Sequence, residues 1–185
     1  MTWKGESRRH SLARKGIKTA NGQCKMNFHY DQNSIFNEIN SELNRLMGIN
    51  FNDIKYNMKI KKINMTLEQY NECINKAHNE IYGSDHYFEY IPESKNIDHI
   101  NKKVLSGNIF NTPYLFYHKL VEPIDQSLDP EDNFWINYAF IQEGFHRLYV
   151  SEQHGCKSVE VIVIYDKNIN EIDKLMPTWL QELVE

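Results

Sequence analysis

Five consecutive residues of this sequence have side chains suited to phosphate chemistry: Glu143, Gly144, Phe145, His146 and Arg147. Arginine can hold phosphate oxygens with two parallel hydrogen bonds. Histidine can donate to a phosphate or transfer a proton near neutral pH, and glycine lets the backbone turn tightly and approach a ligand. We therefore predict a phosphate-binding site from Gly144 to Arg147, with Glu143 and His146 as the candidate catalytic residues.

The surrounding pattern places this pentapeptide between a strand and a helix. We predict a helix over residues 145–154 that ends at Gly155. The N–H groups and dipole of a helix N-terminus favour an anion, whereas a cation such as Arg147 is unfavourable there unless an anion binds. Glu143 would repel a phosphate, so it fits better as a metal ligand, a base or the partner of Arg147 or His146. Alternatively, Glu143 and Arg147 form only an i,i+4 ion pair, and His146 is a surface residue.

Hydrophobic periodicity predicts the elements that position this site. Apolar residues recur at helical spacing in some segments and alternate with polar residues in others. The predicted strands lie near residues 54–63, 113–117, 135–142 and 159–165, the third and fourth of them buried, and residues 122–133 form a loop. The predicted helices run from Ser34 to Gly48, from Thr66 to Gly83 with Gln69 completing a capping box, from Ile97 to Gly107, and beyond Ile169 with an interruption at Pro177. This mixture indicates an α+β fold.

The N-terminal segment, residues 1–25, is basic although the chain as a whole is acidic. It holds seven Lys and Arg residues and one acidic residue, while the chain has a net charge of −4. Such an arm can contact nucleic acid by neutralising phosphates, although the acidic body opposes broad DNA binding. The alternative is a solvated tail. The candidate nucleic-acid contacts are Arg8, Arg9, Arg14, Lys15 and Lys18.

The length of 185 residues suits one domain with additions. We divide the chain into the basic arm (1–25), an amphipathic helix packed on the body (26–50) and the main domain (51–185). No apolar run approaches the ~20 residues that cross a bilayer, and the N-terminus lacks the apolar stretch of a secretory signal. We therefore expect a cytoplasmic protein without membrane contact.

The three cysteines, Cys24, Cys73 and Cys156, lie far apart and form no CxxC pair. Their odd number and spacing argue against a disulfide framework and against a structural zinc site. We expect free thiols in a reducing compartment, with Cys156 a core or surface thiol. We assign no metal ligands.

Residues 54–166 resemble the ParB/sulfiredoxin-like superfamily, most clearly over residues 96–165. The shared order is a small helix ending in glycine, a strand opening with proline, a buried strand, Gly-x-His-Arg or Gly-Glu-Arg-Arg, a second helix ending in glycine, and a Val/Ile strand. The segments that carry this order here are Ile97–Gly107, Pro113–Leu115, Ile141–Arg147, His154–Gly155 and Val159–Val163. The resemblance implies a mixed sheet with surrounding helices, in which the pentapeptide is the phosphate-binding corner.

The branches of this superfamily differ in the residues of the glycine turn. Sulfiredoxins have a reacting cysteine where this chain has Phe145, so sulfiredoxin activity is not supported. Chromosome-partitioning ParB proteins use two arginines on CTP, a pattern from which this chain departs. Free-serine kinases have Asp-Gly-His-His-Arg, of which this chain keeps an acid, the Gly, the His and the Arg.

Taken together, the resemblance implies a nucleotide-binding protein that takes a nucleoside di- or triphosphate, with Mg²⁺ as the expected cofactor. The implied reaction is kinase-like phosphoryl transfer or hydrolysis of a phosphate ester, as in a nuclease. Two other interpretations stay open. One is a non-enzymatic, DNA-associated module that uses the basic arm. The other is an interaction protein that keeps the fold and has lost its ligand.

Overall fold

The computed structural model describes residues 24–83, 91–127, 129, 131 and 134–185. The strands in these residues are β1 (Asn27–His29), β2 (Met58–Met65), β3 (Ile109–Asn111), β4 (Tyr114–Asp125), β5 (Trp135–Glu143) and β6 (Val159–Asp166). The helices are α1 (Gln32–Met47), α2 (Phe51–Ile54), α3 (Leu67–Tyr82), α4 (Ser94–Leu105), α5 (Phe145–Gln153) and α6 (Thr178–Val184). Short 3-10 segments cover Lys55–Asn57 and Ile169–Leu175. The chain is therefore of the α+β class, as its pattern predicts.

Four of the strands form a mixed sheet in the order β2-β6-β4-β5. The central strand β6 pairs antiparallel with β2 and parallel with β4, while β4 pairs antiparallel with β5. Residues Val161 to Tyr165 are completely buried, because β6 has a strand on each side and helices over both faces. This confirms the prediction of a strand buried on both faces.

Successive side chains of β4 point to opposite faces of the sheet, where they meet different helices. On one face, Phe116 packs edge-on against Phe51 of α2 at a centroid distance of 5.8 Å. Phe51 in turn contacts Phe36 of α1 at 4.9 Å. On the other face, Tyr117 lies against Cys73 of α3, and α3 also contacts the 3-10 segment before α6. The predicted amphipathic helix α1 therefore packs on the body.

The helix ends follow local capping signals. Thr66 Oγ1 accepts from Gln69 N at 3.1 Å, and Gln69 Oε1 accepts from Thr66 N at 3.0 Å, which is the predicted capping box. Gly48 ends α1 in the left-handed conformation with φ 66°. Asp31 caps the start of α1 by accepting from Ser34 N at 3.1 Å, so this helix begins earlier than predicted.

Three strand predictions need correction. β2 begins at Met58, later than predicted, because Asn50 caps the short helix α2 and a 3-10 turn follows it. β4 continues to Asp125, into the predicted loop, with a register shift between Lys119 and Ile124. β5 is an edge strand, so its apolar sequence is only partly buried.

A second, two-stranded sheet joins β1 to β3. The sequence pattern does not predict this sheet. β1 and β3 pair in parallel, with Phe28 opposite Phe110. Just before β1, Cys24 forms a disulfide with Cys156, with a Cα–Cα distance of 4.3 Å. The expectation of free thiols is therefore wrong for these two residues, because the folded chain brings together positions separated by 132 residues. Cys73 is free and buried.

The basic arm falls almost entirely outside the part of the chain that the structure describes. None of the described helices is long and apolar enough to cross a membrane. The predicted nucleic-acid contacts that lie outside the described residues are Arg8, Arg9, Arg14, Lys15 and Lys18.

Candidate phosphate-binding site

A glycine turn joins the end of β5 to the start of α5, as the sequence predicts. Gly144 has φ 109° and ψ 11°, a conformation that side chains disfavour. A Cβ at this position would lie 2.5 Å from Pro113 Cβ, so the backbone of the turn packs directly on the start of β4. Leu148 N donates to Gly144 O at 3.0 Å and makes the first helical bond of α5. Glycine is therefore needed here for both conformation and close approach.

A tyrosine of α3 forms hydrogen bonds with the end of β5, the strand that precedes this turn. The Tyr70 hydroxyl donates to the Glu143 carbonyl at 3.0 Å and lies 3.2 Å from Gln142 Oε1. Tyr70 has no solvent exposure. These hydrogen bonds fix the end of β5, and with it the backbone of Glu143, relative to α3.

Arg147 has two partners on different elements. Its Nη1 donates to the Asn111 carbonyl at 2.9 Å, and its Nη2 donates to Glu143 Oε1 at 3.2 Å. The i,i+4 ion pair that the sequence allows as an alternative is thus present. A guanidinium has five N–H donors, so these two bonds orient Arg147 and leave donor capacity for an anion.

His146 is half-buried and accepts a hydrogen bond at one ring nitrogen. Glu93 N donates to His146 Nε2 at 3.1 Å, so the neutral ring carries its proton on Nδ1. Burial lowers the pKa of His146, and the negative charges of Glu93 and Glu143 oppose that shift. The ring therefore favours its neutral form near pH 7.

The Phe145 side chain lies in the core and not in the site. It is only 3% exposed, and its ring meets the His146 ring edge-on at 5.4 Å. A ligand at this corner would therefore meet the main chain of Phe145. The ring's contribution is to hold the first turn of α5 against the core.

The corner opens into a cavity of about 450 Å³ that also has walls from α4 and the segment around β3. His99 and Lys103 of α4 line it opposite the predicted residues, and both are exposed. The sequence reasoning did not include these residues in the site. The sequence signal that could have found them is the i, i+3, i+4, i+7 spacing, which places residues on one face of a helix. The α4 residues that line the cavity have this spacing: Asn96, His99, Ile100 and Lys103.

Glu143 separates this cavity from a second, more acidic one. The second cavity has a volume of about 520 Å³, and Glu38, Glu42 and Tyr114 line it together with Glu143. Burial raises the pKa of the Tyr114 hydroxyl, and the charges of Glu38 and Glu143 raise it further. Within the described residues, no group of three or more His, Cys, Asp or Glu side chains is placed to hold a metal ion.

No family model, curated protein or solved structure matches this chain. The functional conclusion therefore depends on the geometry of the site.

Proposed function

We propose that the cavity between α4 and the start of α5 binds a nucleotide through its phosphates. The observation that carries this proposal is that Lys103 and Arg147, on different elements, line one cavity at a helix N-terminus. The N-cap residue of this helix is Gly144, which has no side chain that could cap it. The volume of about 450 Å³ lies within the usual range of small-molecule sites.

The two candidate catalytic residues have different roles in this proposal. Glu143 accepts from Arg147, so it orients the guanidinium and is the carboxylate available to a phosphate-bound Mg²⁺. Magnesium in such sites takes one or two carboxylates and completes its shell with phosphate oxygens and water. His146 lines the same cavity and is the candidate group for proton transfer. These roles suit phosphoryl transfer or hydrolysis of a phosphate ester.

Membership of the ParB/sulfiredoxin-like superfamily is part of the same proposal. The order β5, glycine turn, α5 and β6, with β4 beside both strands, supports it. The resemblance depends in part on the glycine turn and on the proline that opens a strand. These two features are in contact, because Gly144 packs on Pro113.

Nucleotide titrations of single variants test the proposal. Nucleoside di- and triphosphates and pyrophosphate are titrated by calorimetry, with and without Mg²⁺, into the parent protein, Arg147→Ala, Arg147→Lys and Lys103→Ala. We expect Arg147→Ala to lose roughly ten- to a hundredfold in affinity, the value of a charge-assisted bond. Arg147→Lys should recover part of it, because lysine lacks the planar two-bond contact.

Lys102→Ala is the matched control, since Lys102 is an exposed neighbour of Lys103 that does not line the cavity. Its nucleotide affinity should equal that of the parent. If no nucleotide binds the parent, or if Arg147→Ala and Lys103→Ala bind as the parent does, the proposal is wrong. Affinity for duplex DNA that collapses with added salt, without nucleotide binding, would instead favour the DNA-associated module.

A further inference from the structure

The disulfide between Cys24 and Cys156 links the residues just before β1 to the residues just after the C-terminal end of α5. Cys156 follows the last turn of this helix, and its backbone N donates to Ser151 O at 3.0 Å. α5 begins at the glycine turn of the proposed site. The sulfur of Cys156 is therefore attached to the helix whose first turn would meet the phosphates.

The Cys24 side of the disulfide is connected, through β1, to β3, which also lines the cavity. From Cys24 the chain enters β1, which pairs with β3. The His29 carbonyl accepts from Thr112 N at 3.0 Å, immediately before the Pro113 that packs on the glycine turn. The Asn111 carbonyl, at the end of β3, is the acceptor that orients Arg147. β1 thus supports the backbone on which Arg147 is held.

Besides the disulfide, β1 is held by its pairing with β3 and by packing of Met26, Phe28 and Tyr30 on the core. It is three residues long, and only Phe28 among them is partly buried. Phe28 lies 6.2 Å from Phe110, and Met26 is buried just before the strand. A two-stranded pair of this size is marginally stable without further support. The covalent bond is therefore a main constraint on this segment.

The two cysteines differ in exposure, and a lysine is next to one of them in the sequence. Cys24 is exposed, whereas Cys156 is 4% exposed. Lys25 follows Cys24 directly, and a neighbouring cation favours the thiolate form of a cysteine. His154, two positions before Cys156, is buried, and its Nδ1 has no hydrogen-bond partner among the described residues. Burial lowers the pKa of His154, and the charge of Lys25 lowers it further.

Cys73 provides the contrasting case. It is completely buried, and burial raises the pKa of its thiol to about 12. A thiol that stays protonated and inaccessible does not exchange. Cys73 is therefore suited to serve as an internal control.

We propose that Cys24 and Cys156 form a reversible thiol–disulfide exchange site that latches β1 onto β3 and so controls the adjacent anion site. The thiolate of a low-molecular-weight thiol attacks the exposed Cys24 sulfur, and the bond to Cys156 breaks. Cys156 leaves as a thiolate and takes a proton. A second thiolate then attacks the sulfur of the small thiol bound to Cys24, and Cys24 leaves as a thiolate that takes a proton. The two small thiols thus become one small disulfide, and the protein gains two hydrogens. Control of the anion site rests on the proposed function, whereas the latch does not.

Hydrogen exchange and pyrophosphate titration of the full chain test the two parts separately. The oxidised protein and the protein reduced with glutathione are compared by mass spectrometry of peptides covering residues 24–30 and 107–113. We expect reduction to speed exchange in both segments at least tenfold and to leave α3 unchanged. Pyrophosphate affinity, measured by calorimetry, should fall several-fold on reduction.

Cys24→Ser and Cys156→Ser should reproduce the reduced state and lose their response to glutathione, while Cys73→Ala should keep the parent response. Equal exchange in the oxidised and reduced parent, or an oxidised parent without the bond, overturns the latch. If exchange responds but pyrophosphate affinity does not change between the states, control of the anion site is overturned. A parent that binds no pyrophosphate in either state overturns the proposed function, and hydrogen exchange still decides the latch.

Discussion

The glycine corner and the contact between His118 of β4 and Asp166 of β6 each pair a carboxylate with a nitrogen base, but in different ways. At the corner, Glu143 ends β5 and Arg147 lies four positions later in the first turn of α5, their contact is 3.2 Å, and the Glu143 side chain is 55% exposed. Further along β4, His118 Nδ1 lies 2.9 and 3.1 Å from the two oxygens of Asp166, and the side chains are 8% and 14% exposed.

The difference lies in how completely each carboxylate is satisfied by the protein. Asp166 also accepts from Lys119 N at 2.7 Å, so both of its oxygens have protein donors in a nearly closed environment. Glu143 faces two open cavities and shares one oxygen with Arg147. An open, adjustable contact can make room for a ligand, whereas a closed one serves structure. This difference supports the proposal that the functional site is at the corner, and we expect the His118–Asp166 contact to contribute to stability.

The largest expected effect comes from the backbone of the corner. Gly144→Ala should lower the free energy of unfolding by about 3 kcal/mol or more, because it adds overpacking against Pro113 to the cost of a left-handed conformation. Gly48→Ala is the control: Gly48 has φ 66°, and a Cβ there meets nothing within 4 Å. It should cost about 1 kcal/mol. Urea denaturation measures both, and equal losses would show that the corner is not tightly packed.

Neutralising each carboxylate tests the difference between the two regions directly. Asp166→Asn should lower the free energy of unfolding by about 2 kcal/mol, since it weakens nearly buried, charge-assisted bonds to His118 and Lys119 N. Glu143→Gln, an equally conservative change at an exposed ion pair, should cost less than about 1 kcal/mol. Chemical denaturation at neutral pH gives both values. The reverse order would mean that the corner, and not the β4 contact, is the structural one.

The smallest effect concerns the pH dependence of His146. Because burial lowers its pKa in the folded state, the unfolded chain binds more protons below the ordinary value of about 6.5. The contribution of His146 to stability is complete above that value and is lost as the pH falls towards the lowered pKa. His146→Gln should therefore flatten the decline in the free energy of unfolding between about pH 7.5 and pH 5.5. The difference should be less than about 0.5 kcal/mol, because solvent screens the partly exposed ring.

His29→Gln is the control for this measurement, because His29 is exposed on β1. It should keep the parent's decline in stability over the same pH range. An unchanged slope for His146→Gln would contradict the inferred role of burial at the corner. Stability at each pH is read from urea denaturation.

The sequence by itself determined the features whose causes are local. The capping box of Thr66 and Gln69, the stop at Gly48 and the helix that begins after Gly144 all depend on residues within one turn of one another. Glycine conformation, side-chain capping and hydrophobic periodicity act over that distance. The type and approximate position of most elements could therefore be predicted, together with the Glu143–Arg147 contact.

Tertiary structure alone decided the contacts between residues far apart in the chain. The Cys24–Cys156 bond, the His118–Asp166 contact and the position of Lys103 across from Arg147 all depend on which segments dock together. Such contacts require closure of long loops, and their free energy comes from burial summed over many residues. No short pattern encodes that sum, so only the folded chain shows which side chains share the cavity.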